Sequence, residues 1–166
     1  MSLMNFEQER HAHPVDVIEQ IAALHDWSFE RAGEDEIAIS VGGNWADYHV
    51  SFSWMEEREA LHLACAFDLK VPENRQLEVM RLLSAVNEQL WIGHFDLWKE
   101  EGIVMFRQAL LLSGGADPNA QQVECLLVTA IEACERYFQA FQFVVWAGRN
   151  ASEALDNVLF ETAGEA

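Results

Sequence analysis

The chain has 166 residues, about the length of one domain, and 51% of them are hydrophobic, enough for a real core and too many for a disordered chain. Against 28 Asp and Glu stand only 10 Lys and Arg, a formal net charge of −18. Such a field repels phosphate backbones and anionic lipid surfaces, so neither nucleic acid nor membrane is an expected partner.

Acidity on this scale favours solubility and encounter with basic proteins. No apolar run approaches the roughly 20 residues of a membrane span, and Met1–Arg10 has neither the basic nor the apolar region of a signal peptide. Cys65, Cys125 and Cys134 form no CxxC pair, and their odd number suits free thiols in a reducing compartment. The expected address is the cytoplasm.

Residues 1–13 are polar and aperiodic, a loose tail ahead of one domain over 14–160, with a second short tail at 161–166. Pro14 suits the first position of a helix, where its missing N–H is not needed. Val17, Ile18, Ile21 and Leu24 then recur at helical spacing up to Asp26. From Trp27 to Leu69 the period switches to two. Trp27–Arg31 and Ile37–Val41 read as strands around a turn at 32–35, and Gly42-Gly43-Asn44 makes the next turn. The alternating runs Ala46–Trp54 and Leu61–Leu69, joined by the charged turn Met55–Arg58, read as a hairpin with one buried face.

Val71-Pro72-Glu73 opens a second helix that runs to about Trp91. Val79, Leu82, Leu83, Val86 and Leu90 form its core stripe. Leu77, Met80, Ser84, Asn87 and Trp91 fall on a second, roughly opposite face. A surface helix needs only one apolar face, so this second one is a candidate partner or dimer interface. Gly93 stops the helix. Phe95–Trp98 and Ile103–Leu111 form a second hairpin, and Asp117 with Pro118 starts a long helix over about Asn119–Ala147. Ala151–Phe160 is a short helical tail. The order α-ββββ-α-ββ-α, built on hairpins, implies an α+β fold: a mainly antiparallel sheet of about six strands with helices packed on one face.

Candidate chemistry is sparse. Pairing the first hairpin about its turn sets Ser51 against His62 and His49 against Ala64, which makes His49 and His62 diagonal neighbours roughly 7–8 Å apart. Cys65 points to the other face and no third ligand is evident, so no metal or other cofactor is expected. Cys125 and Cys134 lack basic neighbours that would activate them. Gly114-Gly115 precedes no P-loop lysine and reads as a plain turn. Glu132 and Glu135 read as a solvated face, and there is no Gly-x-Ser-x-Gly, kinase or HExxH pattern. Trp45, Trp91, Trp98 and Trp146 fall where periodicity predicts exposure, and exposed tryptophan is typical of interfaces.

The stretch Val86-Asn-Glu-Gln-Leu-Trp-Ile-Gly-His-Phe-Asp-Leu-Trp98 resembles the YbjN-domain family of bacterial sensory transduction regulators. So do Ala64-Cys-Ala-Phe-Asp-Leu69 with Val71-Pro72, Ala133-Cys-Glu-Arg-Tyr137 with Ala140-Phe-Gln-Phe143, and Trp146-Ala-Gly148. The resemblance runs from about His13 to the C-terminus. It implies a fold similar to the type III secretion chaperones, which are small, acidic, usually dimeric binders of partner polypeptides. It brings no catalytic or ligand residues with it.

The expected function is therefore non-enzymatic protein interaction, as a regulator or chaperone-like adaptor, with an unidentified protein partner and a homodimer as the simplest assembly. The alternatives are a small-molecule sensor with a pocket between sheet and helices, or an enzyme whose general-base candidates are His49, His62 and His94.

Overall fold

The computed structural model describes residues 10–164. The first helix, α1 (Pro14–Leu24), begins at the expected proline and buries Val15, Ile18, Ile21 and Ala22. His13 caps it, with Nδ1 accepting from the Val15 N–H at 3.2 Å. Six strands follow in two groups: β1 (Ser28–Arg31), β2 (Glu36–Gly42), β3 (Asp47–Met55) and β4 (Ala60–Lys70), then β5 (His94–Trp98) and β6 (Ile103–Leu111). They form one antiparallel sheet in the order β1-β2-β3-β4-β6-β5, which leaves β1 and β5 as edges. Between the groups lies α2 (Gln76–Asn87), and α3 (Ala120–Val145) and α4 (Ala151–Gly164) complete the chain.

Period-two burial puts Ile37, Ile39, Val50, Phe52, Leu63, Cys65 and Phe106 on the covered face. There α1 packs over β1–β3, α3 over β4 and β6, and α2 over β5. The expected helical tail is α4, a second layer that packs on α2 and α3 rather than on the sheet, burying Ala151, Ala154 and Val158. At the centre Phe95 meets Phe106, Phe141, Phe67 and Tyr137, with ring centroids 5.4, 5.5, 5.7 and 5.9 Å away. The Tyr137 hydroxyl donates to Gln89 Oε1 at 3.1 Å.

Four expectations need correction. The first hairpin pairs Ser53 with His62, Ser51 with Ala64 and His49 with Ala66, two residues from the register expected. Strand β3 runs through Met55, and the reversal comes later, in the turn Glu56–Arg58 closed by Glu59 at φ 46°. A shift of two keeps every side chain on its expected face. Helix α3 starts at Ala120 and is capped by Asn119 rather than Asp117, because Gln122 stands three residues on and completes a reciprocal capping box. Helix α2 ends at Asn87, one turn early, for a reason given below.

The tail expectation also changes. Residues 1–9 lie outside the described residues, but Arg10 is anchored. Its guanidinium pairs with Glu59 at 2.9 Å, donates to the carbonyls of Leu112 and Ala116, and lies 4.6 Å over the Trp54 ring. Residues 161–164 continue α4.

Candidate interaction site

On α2 the expected core stripe is buried at Val79, Leu82, Leu83 and Val86. One flank is covered by α4: Glu78 accepts the Ala151 N–H at 3.0 Å, and a cleft of about 450 Å³ lined by Arg81, Ala85, Asn150 and Leu155 separates the two helices. The outward line stays open, with Leu77 58% exposed, Ser84 exposed and Met80 half-buried against the core.

Two members of the predicted face have other positions. Asn87 faces the start of β5, where its amide accepts the Phe95 N–H at 2.8 Å and donates to the Phe95 carbonyl at 3.0 Å. That bidentate clamp takes the last residue of the helix, so the chain leaves the helix there. Trp91 consequently lies beyond α2 in the connection to β5, where it is 100% exposed. Replacing Asn87 with alanine should strip both partners from a buried backbone unit and destabilise the fold by about 1–3 kcal/mol, measured by urea denaturation. A loss inside experimental error would mean that water replaces the clamp.

Next to this face lies a feature that local patterning does not encode. Strand β5 is an edge, and it displays Ile92 just before it and Trp98 at its end, both exposed. Gln76 Nε2 ties the start of α2 to the β5–β6 turn through the Lys99 carbonyl at 2.8 Å. Helix α2 and edge β5 are thus joined at both ends, by Gln76 and by Asn87, and Leu77, Trp91, Ile92 and Trp98 are exposed along them.

The histidines do not assemble a site. With the observed register, His49 and His62 are four residues apart along the hairpin, roughly 13 Å. His49 Nδ1 lies 3.0 Å from Ser40 Oγ. His62 Nε2 accepts from Arg107 Nε at 3.1 Å, and Arg107 also pairs with Asp96 at 3.2 Å. Burial, then the charge of Arg107, holds the His62 imidazole below its usual range. Of the three general-base candidates, His62 and His94 share a shallow cleft and His49 stands apart.

Other candidates are occupied by structural roles. The N–H groups of Gly114 and Gly115 donate to the Glu59 carboxylate at 3.2 and 3.1 Å, and these bonds hold that carboxyl below its ordinary range. Cys65 and Cys134 are both buried, and the hydrogen bond from Cys65 together with burial raises the Cys134 thiol, the opposite of activation. Glu132 is exposed as expected, but Glu135 is half-buried and accepts the Asn44 N–H beside Tyr48. Burial, reinforced by the Glu135 charge, raises the Tyr48 hydroxyl.

Trp45 and Trp146 border a cavity of about 720 Å³ where the sheet and the end of α3 diverge. Asp47, His49, Ala66 and Asp68 line it from the strands, and Phe138 and Gln142 line it from α3. A sheet–helix pocket thus exists at one end of the layer, while the centre is filled by aromatic rings.

The strands and helices form an antiparallel six-stranded sheet covered on one face by helices, an α+β fold. Residues 14–143 match the YbjN family, described as "Putative bacterial sensory transduction regulator", and the chain belongs to that family. Among solved structures it is similar to YbjN from E. coli, at 14% identity and TM-score 0.54, over 73% of this chain and 85% of that one. It is similar to a chain of the ExsC–ExsE complex at 19% identity and TM-score 0.52, over 73% and 90%. A chain of the HopA1–SchA chaperone–effector complex aligns at 13% identity and TM-score 0.48, over 71% and 87%. No curated protein sequence matches the chain. No helix among the described residues is long and apolar enough to cross a membrane.

Proposed function

We propose that this chain is a non-enzymatic, cytoplasmic protein-binding regulator or chaperone-like adaptor, and that it works as a homodimer joined through α2 and the β5 edge. The observation that carries this reading is the run of exposed apolar side chains along α2 and its connection to β5: Leu77 on α2, then Trp91 and Ile92 leading into β5. Apolar patches of this kind mark interaction surfaces, whereas the outward N–H and carbonyl of Phe95 and the N–H of Leu97 on β5 are already taken by Asn87 and Asp96. A two-fold axis beside β5 lets one patch cover its own copy. The YbjN family description and a fold shared with a chain solved in complex with ExsE support a regulatory, polypeptide-binding role.

Sedimentation equilibrium tests the assembly. Met80→Glu, on the half-buried side of the helix, should weaken both dimer and fold. Leu77→Glu, already exposed, should weaken the dimer at least roughly tenfold while leaving the melting temperature within a few degrees. A wild-type chain that stays monomeric at high concentration, or a dimer indifferent to Leu77→Glu, would remove α2 from the interface.

A further inference from the structure

The cavity between Trp45 and Trp146 combines features that no structural role accounts for. Both indoles are left in water, Trp45 54% and Trp146 65% exposed, and both line the cavity. Two carboxylates, Asp47 and Asp68, line the same space, and among the described residues neither pairs with a Lys or Arg. The 26-residue helix α3 ends at Val145 beside this space, and the Arg75 guanidinium already donates to its Val144 carbonyl. Electron-rich faces and carboxylates favour positive charge, and nothing in the lining supplies it.

The chain itself has few cations to offer. Of the ten Lys and Arg, Arg10, Arg31, Arg81, Arg107 and Arg149 are in ion pairs, Arg75 donates to the carbonyls of Val144 and Arg149, Arg136 lies over the Tyr137 ring, and Arg58, Lys70 and Lys99 stand outside the cavity lining. Residues 1–9 and 165–166, outside the described part, contain no Lys or Arg. No Lys or Arg lines the cavity, so positive charge has to be brought into it.

We propose that the cavity receives an arginine or lysine side chain presented by a partner polypeptide. The guanidinium lies against the indoles and its N–H groups point to Asp47 and Asp68; arginine is the better fit because its flat, weakly hydrated group can stack and donate at once. A volume of about 720 Å³ also accommodates the neighbouring backbone of an extended peptide. The site lies where the central strands β3 and β4 begin and end, and none of its lining residues belongs to α2 or β5. It rests on the protein-binding reading and names the chemistry of the partner: a basic segment drawn to a chain of net charge −18.

The test uses the full chain and two short capped peptides, one with a single arginine between glycines and one with citrulline in its place. Indole N–H resonances are followed by NMR, with Trp45→Phe and Trp146→Phe assigning the two relevant signals among six. The arginine peptide should shift those two saturably, with a Kd on the order of 1 mM, and the uncharged isostere should not. The double substitution Asp47→Asn, Asp68→Asn, at two exposed positions, should weaken binding at least roughly tenfold. Unmoved indoles, equal shifts from citrulline, or undiminished binding by the double variant would each overturn the proposal. If sedimentation still shows a dimer that depends on Leu77 while the arginine peptide fails, the interaction reading stands and this site falls; arginine binding by a strictly monomeric chain gives the reverse.

Discussion

Replacing Phe95 with alanine should lower the unfolding free energy by about 3–5 kcal/mol, the largest loss expected from any single core truncation here. Phe95 is 2% exposed and lies at the meeting point of rings from β4, β6 and α3. Removing it forfeits the apolar transfer of one ring, the edge-to-face pairs with Phe106 and Tyr137, and the tilted contacts with Phe67 and Phe141. Collapse around the gap is hindered because the backbone at this position is clamped by Asn87 from the opposite side. Trp98→Ala is the control: it lies on the same strand but on the open face, so its loss should stay near 0.5 kcal/mol. Urea denaturation of the two variants settles the comparison. A Phe95→Ala loss no larger than that of Trp98→Ala would mean that the aromatic cluster is not what holds the β5 edge to the core.

The contrast between these two residues also shows what sequence could and could not reveal. Alternation assigns Phe95 inward and Trp98 outward, since it depends only on the pleat, and both assignments hold. Alternation is equally blind to a register shift of two. That is why the face of His49 and His62 was legible while their separation was not. Helix α2 failed in a different way. The apolar spacing continues through Leu90, so local pattern favours a longer helix, but Asn87 bonds the backbone of Phe95 eight residues on and the helix stops there. A tertiary hydrogen bond overrode a local period. Trp91 was thus correctly singled out as exposed and wrongly placed on the helix.

The cavity was legible only in fragments. Trp45 and Trp146 stand out in the sequence as tryptophans at exposed positions, yet they are about 100 residues apart, and nothing local brings the turn after β2 to the end of α3. Asp47 and Asp68 read as two more charges in an acidic chain. Only their placement on facing positions of one hairpin, beyond the last β3–β4 pair at His49 and Ala66, turns four unremarkable residues into one lined space.

Gly93→Ala is the second substitution expected to have a large effect, about 3 kcal/mol or more, and it tests how the chain is delivered from α2 to the β5 edge. Gly93 has φ 72°, where an L residue costs about 1–2 kcal/mol through contact of its Cβ with the following carbonyl. A Cβ here would also overlap the Phe106 ring and lie 2.9 Å from the Arg107 carbonyl oxygen. Neither neighbour can yield easily: Phe106 is fully buried against Phe95, and Arg107 is paired on both sides, with Ala64 of β4 and His94 of β5. Gly114→Ala separates the two contributions, since Gly114 has φ 79° but nothing within 4 Å of an added Cβ. It should show the backbone cost alone, so the excess in Gly93→Ala measures the close approach of this turn to β6. The same excess should appear in assembly, because any shift that relieves the overlap moves Trp91 and Ile92, the residues that lead into the proposed interface. If Gly93→Ala loses no more stability than Gly114→Ala and dimerises like the wild type, the turn is not what fixes the edge, and the interface must be sought elsewhere on the chain.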